Sequence, residues 1–398
     1  MRYPLAREDR TRLIKAGVWL MVFVLLVCAG SNITSTAAEI LPKAREYKIL
    51  SSAQEGFTVK EALKSEETLE QAGITVFSSQ KGKLTGENGV ELSVTQKVTD
   101  DRYADVYGLS LLRGTYFVSK GIESMDRFAV ISDKAALALF KSLDVVGHEV
   151  NINQIRYTVI GVYEHNRSLL YDLSSDGNDT VFVPMSSQAS VMGKMPVNLA
   201  APLQGTDHLQ DTISAVQEIL GAKIAGYQME DLTQATRVME QNTQILWFIV
   251  GITAGILLLR IGLDLLIRFT KDIRKRRQQT EPSPFWTKEQ VSRLAVGTGL
   301  LLFTGVIWSL VSFSPYIPPQ YLPKDNIFDL RHYWQQFLNL IHTRNAGVTG
   351  YDFYGNIAFY GIVIHGVLLP VAVFAFFACI RSIRKAAVRF LRKDTQKK

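Results

Sequence analysis

Four apolar runs divide this chain, and basic residues border each of them. Ala16–Gly30, Ile245–Ile267, Leu294–Phe313 and Ile357–Ile380 carry almost no charge. A helix needs about 20 apolar residues to cross about 30 Å of hydrocarbon, so the last three are long enough and the first is at the short limit. The basic clusters are Arg2–Lys15, Arg268–Arg293 and Arg381–Lys398. Clusters of this kind mark the cytoplasmic side of a span. The expected division is a cytoplasmic N-terminus over 1–15, a first span over 16–30 and a large outer domain over 31–243. A second span over 244–267, a basic cytoplasmic loop over 268–293 and a third span over 294–313 follow. An external loop over 314–356, a fourth span over 357–380 and a cytoplasmic tail over 381–398 complete the chain.

The formal charge of +7 over 398 residues would suggest nucleic acid in a soluble chain. Its distribution argues against that partner, because residues 31–243 hold 27 Asp/Glu against 19 Lys/Arg. The positive excess therefore belongs to the flanks of the spans, and membrane lipids are the expected partner. The only cysteines, Cys28 and Cys379, lie inside apolar runs, so the outer domain has no disulfide and relies on its own core. The first run has two readings. A short apolar core after basic residues, followed by STAAE, also fits a cleaved signal peptide.

The outer domain centres on Val106–Tyr163. Phe128–Ile131 reads as a buried strand, and Ser132 or Asp133 caps a helix through Ala135–Phe140. Glu149–Asn153 alternates as an edge strand, Asn153-Gln154 makes a hairpin turn, and Arg156–Val162 returns. Upstream, Thr58 with Glu61 predicts a capped helix over Lys60–Gln71, then a strand over Ile74–Phe77, a turn-rich hairpin region over Gly82–Gly89 and a strand over Leu92–Val98. Downstream, Asn166–Asp179 reads as a surface loop, Thr206–Leu220 as a helix and Ala222–Tyr227 as a strand. A helix from Leu232 runs on into the second span, either as a lever between outer domain and membrane or as a plain stalk. The fold class expected is an α+β outer domain with a four-helix transmembrane bundle.

The segments GLSLLRGTYF, AVISDKAALALF, VVGHEVNINQIRYTVIGV and TVFVPMSSQ, in this order over 108–188, resemble the MacB-type periplasmic core domain. Gly114, Gly147 and Pro184 match residue by residue. The resemblance implies an ABC-transporter permease of the MacB-like or FtsX-like kind in a bacterial inner membrane. It implies a subunit that transmits motion from a separate ATPase to its outer domain and that pairs as a homodimer. After the second span such permeases carry an EIG…ALGA coupling segment, whereas this chain reads KDIRKRRQQTEPSPFW, with Pro282 and Pro284 breaking any helix. The external loop is also longer than the family's short link.

The sequence lacks a Walker A pattern, so ATP hydrolysis would fall to a partner. GxSxG, HExxH and CxxC are absent too, and neither catalysis, cofactor nor metal is expected. The candidate ATPase contact is Arg274, Lys275, Arg276 and Arg277 with the aromatic pair Phe285 and Trp286. The bland reading makes the basic cluster an orientation signal and Trp286 an interface anchor. Arg260 and Asp264, one turn apart in the second span, form a candidate intramembrane pair, structural or coupling. His365 in the fourth span reads as a hydrogen bond between helices. Ile327, Leu330, Trp334, Phe337, Leu338 and Ile341 form an apolar stripe in the external loop, as on a helix lying at the headgroups. Arg381–Lys393 reads as a basic amphipathic helix on the inner leaflet. The alternative function is an ATPase-independent anchored domain that binds a protein or cell-envelope partner.

Overall fold

The structure, a computed structural model, describes residues 7–50, 53, 55–118, 127–203, 209–277, 288–311, 323, 326, 329–335, 338 and 352–395. The chain divides into two units. One comprises Met1–Ile33, Val238–Tyr316 and Val363–Lys398, the other Thr34–Arg237 and Ile317–Ile362.

In chain order the elements are α1 (Arg7–Ile40), β1 (Ala44–Ile49), α2 (Val59–Lys64), α3 (Glu66–Gln71), β2 (Thr75–Gly86), β3 (Glu91–Thr99) and α4 (Tyr103–Tyr107). Then come β4 (Leu111–Gly114), β5 (Phe128–Ser132), α5 (Asp133–Phe140), β6 (Glu149–Ile152), β7 (Ile155–Tyr163), α6 (Leu169–Ser174) and β8 (Asp179–Pro184). The last are α7 (Met185–Met192), β9 (Asn198–Pro202), α8 (Leu209–Leu220), β10 (Tyr227–Asp231), α9 (Thr233–Arg277), α10 (Lys288–Leu310) and α11 (Phe353–Thr395).

The second unit is built on one mixed sheet in the order β10-β1-β9-β2-β3-β8-β5-β7-β4, with β6 bridging β2 and β7. β3 pairs β8 in parallel, and β5 pairs β7 likewise. Alternation along each strand gives the sheet two faces. One is aliphatic: Val76, Val94, Val98, Ile131, Val159, Val181, Val183 and Leu199 form its core with Leu69 and Leu139. The expected central unit forms. Ser132 Oγ accepts the Ala135 N–H at 2.9 Å, and Asn153 and Gln154 take φ of 50° and 69° in the hairpin turn. The Thr58–Glu61 capping box is also complete. Gly114 has φ 73°, and a Cβ there would lie 2.0 Å from the Ile160 carbonyl oxygen, so only glycine fits.

Four local expectations are corrected. Gly82–Gly89 turns only beyond Gly86, where residues 87–90 close the β2–β3 hairpin, because β2 itself runs to Gly86. Gly82 and Gly86 mark close approach of Asn153 and Leu139 rather than a bend. The helix over 60–71 breaks at Ser65 into α2 and α3. The loop 166–179 contains α6, started by Ser168 Oγ accepting the Tyr171 N–H at 3.2 Å. Gly221–Gly226 is a 3-10 turn rather than a strand, and pairing begins only at Tyr227.

Among the described residues, four helical stretches are long and apolar enough to cross a membrane: Arg10–Ile40, Thr233–Lys275, Lys288–Leu310 and Phe353–Lys385. α1 packs on α11 through Trp19 against Phe374 at 5.6 Å and Phe23 against Phe376 at 5.5 Å. His365 Nε2 lies 3.1 Å from the Gly30 carbonyl oxygen, the interhelical hydrogen bond expected of it. α9 and α10 meet at glycines. A Cβ on Gly255 would fall 2.0 Å from Trp308 Nε1, so the indole occupies the space a side chain would need.

Candidate coupling site

Beside the aliphatic face, the opposite face of the sheet carries charge. In β1, Tyr47 and Ile49 enter the aliphatic core, which turns Glu46 and Lys48 to the other side. Glu46 stands directly opposite Glu230 of β10, and like charges in that position repel. Lys48 answers them. Its Nζ lies 2.9 Å from Glu46 Oε2, 2.6 Å from Glu230 Oε2 and 2.6 Å from Asp352 Oδ1. Asp352 immediately precedes α11, and the same Oδ1 accepts the Gly355 N–H at 3.0 Å, capping the helix. One ammonium thus joins the sheet to the N-terminus of α11.

Burial works against the Lys48 charge, but Glu46, Asp352 and Glu230 outweigh it and hold its pKa well above the ordinary value. Burial raises the Glu230 carboxyl, with Lys48 opposing. The Tyr107 hydroxyl donates to Glu46 Oε1.

Lys97 of β3 supplies a second cation. It donates to Tyr103 Oη at 2.9 Å and sits over the rings of Phe77, Tyr103 and Tyr354 at 5.3, 5.2 and 5.6 Å. Burial pushes its pKa down to about 8, with Glu46 opposing. Tyr103 stacks on Tyr107 at 4.1 Å, and Tyr107 packs on Tyr354 at 5.1 Å. The start of α11 is therefore part of this aromatic cluster.

A cleft of about 630 Å³ opens beside the cluster, lined by Thr95, Lys97, Tyr163, His165, Tyr171 and Phe353 among others. Among the described residues the buried Thr95 hydroxyl has no hydrogen-bond partner. At one wall His165 Nδ1 is 3.3 Å from Asp179 Oδ1, and Asp179 Oδ2 accepts the Ser132 hydroxyl at 2.6 Å. These are the residue types of a serine hydrolase in the wrong order: the carboxylate, not the imidazole, contacts the serine, and that serine caps α5. Among the described residues no group of three His, Cys, Asp or Glu could hold a metal ion. The arrangement can hold and position groups. Among the described residues of the cleft, no nucleophile is paired with a base.

The residues singled out from sequence lie elsewhere. Arg260 and Asp264 are both exposed on α9, and among the described residues no ion pair joins them. Arg274 and Lys275 are exposed near the end of α9, and the backbone of Arg276 and Arg277 completes its last turn. Phe285 and Trp286 lie outside the described residues. What sequence reasoning missed is the bracket around that loop: Arg293 of α10 contacts Asp272 of α9 at 2.6 Å. It missed the Lys48 cluster as well. The signal was present in AREYKI, whose alternation gives one apolar and one charged face, but a charged face normally reads as solvated.

The signature of the MacB-like periplasmic core domain matches residues 19–219, just over half of the chain. An uncharacterized ABC transporter permease, YknZ of Bacillus subtilis, is 25% identical over 222 residues, covering 54% of this chain and 54% of YknZ. The macrolide export ATP-binding/permease protein MacB of an Azoarcus species is 24% identical over 176 residues, covering 43% of this chain and 26% of that protein. The chain thus spans about half the length of the first relative and about a quarter of the second. Among solved structures, the periplasmic region of MacB from Actinobacillus actinomycetemcomitans is 15% identical with a TM-score of 0.40, covering 52% of this chain and 98% of that one. On the match over residues 19–219, this chain belongs to the family of the MacB-like periplasmic core domain.

Proposed function

We propose that the chain is the permease subunit of an ABC-type complex, carrying motion from a separate ATPase into its outer domain. The observation that carries this reading is the Lys48 cluster. A buried cation spanning Glu46, Glu230 and the Asp352 cap makes the sheet and the first turn of α11 respond together. α9 and α11 are single helices of 45 and 43 residues, long enough to act as levers. The names of the relatives, ABC transporter permease and ATP-binding/permease protein, support the same reading. The ATPase contact would use Arg274–Arg277 with Phe285 and Trp286. Aromatic anchors carry most of an interface's energy, whereas rim charges mainly set association rates. Affinity purification of the intact protein from its native membrane should recover an ABC ATPase. Trp286→Ala should abolish that recovery, and removing single charges should only weaken it. Recovery of no ATPase at any salt concentration would overturn the proposal.

One observation favours a second reading, an anchored domain that binds an envelope partner without an ATPase: the cleft with its unused Thr95 hydroxyl. A partner recovered in place of an ATPase, and lost on Thr95→Val, would select it.

A further inference from the structure

The stretch between α10 and α11 contains a helix turned against the logic of a soluble protein. Residues 330–335 are helical, as is Leu338, and Asp329 starts the helix by accepting the N–H groups of Arg331 and His332 at 3.0 and 3.2 Å. Leu330, Trp334 and Leu338 recur every four residues and so share one side. They are 81%, 61% and 38% exposed. On the other side His332 and Tyr333 are half-buried, and His332 Nε2 is shielded from solvent. In water a surface helix buries its apolar stripe and exposes its polar face. Here Leu330 and Trp334 stand as open to the surroundings as Arg331 and Gln335, while His332 and Tyr333 are half-buried, so the medium the apolar side chains meet is apolar.

The chain on either side narrows the choice of that medium. Lys288–Leu310 before the helix and Phe353–Lys385 after it are both long and apolar enough to cross a membrane. A short helix tethered at both ends to spans stays within reach of one bilayer surface. Tryptophan is the side chain most suited to the headgroup boundary, where its ring meets acyl chain and its N–H meets water. The other apolar residues of the sequence stripe, Ile327, Phe337 and Ile341, lie outside the described residues.

We propose that the Leu330–Trp334–Leu338 face is a lipid-docking surface that seats the segment between α10 and α11 in the membrane interface. The occupant is the acyl–headgroup boundary itself. The apolar burial supplies the attachment, and anionic lipid is not required, since the described part of the helix carries only Arg331 as a permanent cation. This surface does not depend on an ATPase partner, so it stands or falls apart from the permease reading.

The test uses the full chain with Cys28→Ser and Cys379→Ser, reconstituted in vesicles of neutral phosphatidylcholine. A single cysteine carrying an environment-sensitive fluorophore replaces Trp334, Leu338 or, on the exposed polar side, Gln335. Probes at 334 and 338 should be quenched by lipids bearing a shallow nitroxide. Their quenching by aqueous iodide should be roughly threefold weaker than at 335, as for a helix buried along one face in the interface. Monodisperse elution and unchanged helical circular dichroism certify each labelled variant. Two positions on the stripe ensure that one perturbed site does not decide the outcome. Equal iodide quenching at 334, 338 and 335 would overturn the proposal. So would shielding of 334 and 338 from iodide and nitroxide alike, which would mean that protein covers the face.

Discussion

The two faces of the outer sheet reach burial by opposite means. On the aliphatic face, Ile131, Val159 and Val183 are fully buried and need nothing but neighbours of suitable shape. On the other face, Glu46 and Lys48 are equally inaccessible, yet each is tolerable only while a particular partner stands within about 3 Å. Nonpolar packing degrades gradually when altered, whereas a buried charge cluster fails when one member is lost. The first face gives the domain its stability. The second ties stability to the position of the α11 cap.

The largest expected effect tests this contrast directly. Lys48→Met leaves the buried Glu46 and the half-buried Glu230 and Asp352 without their cation and should cost about 3–5 kcal/mol, read as thermal unfolding of the full chain in detergent. Ile131→Ala should cost a similar amount, about 2–5 kcal/mol, by leaving a cavity. Acidity separates them. The folded Glu230 carboxyl is raised above its ordinary value of 4.5, so the folded state takes up the proton first as pH falls, and lowering pH through that window favours folding. Without Lys48 the upward shift grows. The Lys48→Met deficit should therefore shrink between neutral pH and about 4.5, while the Ile131→Ala deficit stays level. Two deficits that run parallel across pH would remove the distinction between the faces.

Asp352 offers a smaller effect and a division of labour. Asparagine caps a helix as well as aspartate does, so Asp352→Asn removes only the charge facing Lys48, at about 1.5–3 kcal/mol. Asp352→Ala also removes the acceptor for the Gly355 N–H and should cost about 1 kcal/mol more. Equal losses in the two variants would show that the cap is idle.

These differences also explain what could be read in advance. The aliphatic face was legible because the apolar run Phe128–Ile131 and the alternation in Glu149–Asn153 are local, and so were the Ser132 cap, the Asn153-Gln154 turn and the Thr58–Glu61 box. The charged face was not. Lys48 and Asp352 are separated by 304 positions, and nothing in AREYKI says that a helix cap will arrive to bury it. Gly82 misled for a related reason: glycine in a turn and glycine under a neighbouring strand look the same until Asn153 is seen against it. The Arg274–Arg277 cluster was found by composition alone, whereas the Asp272–Arg293 contact at its base needed both helices in place.

The local part of the fold predicts a modest and local loss. Thr58→Ala removes the acceptor for the Glu61 N–H and should cost about 1 kcal/mol. The Glu61 carboxyl is held below its ordinary value of 4.5 chiefly by the hydrogen bond from Lys223, with Thr58 assisting. A lowered acid contributes stability above its unfolded value and loses it as pH falls through the folded one. The cost of Thr58→Ala should accordingly stay constant down to about 4.5 and fall only below that value, a window distinct from the Lys48→Met recovery above it. Overlapping windows would mean that Glu61 and Glu230 titrate as one system.

The smallest effect at neutral pH is expected at Lys97, where two opposing contributions nearly cancel. Its ammonium gains about 1–2 kcal/mol from aromatic rings when desolvated. Against this, burial lowers its pKa from 10.5 to about 8, which disfavours the charged form in the fold. Lys97→Met should therefore leave the unfolding midpoint at pH 7 almost unchanged, unlike Lys48→Met. The difference emerges in alkali. Between about 8 and 10.5 the unfolded chain still holds the Lys97 proton and the folded chain has released it, so wild-type stability rises with pH in this window. Buried Tyr103 and Tyr107 are raised well above 10.0, and they pull stability down once unfolded tyrosines ionise, so the comparison belongs below pH 10. In that range the wild type should gain on Lys97→Met as pH increases. Parallel curves would show that the aromatic cluster leaves this lysine an ordinary one, and the charged face would then rest on Lys48 alone.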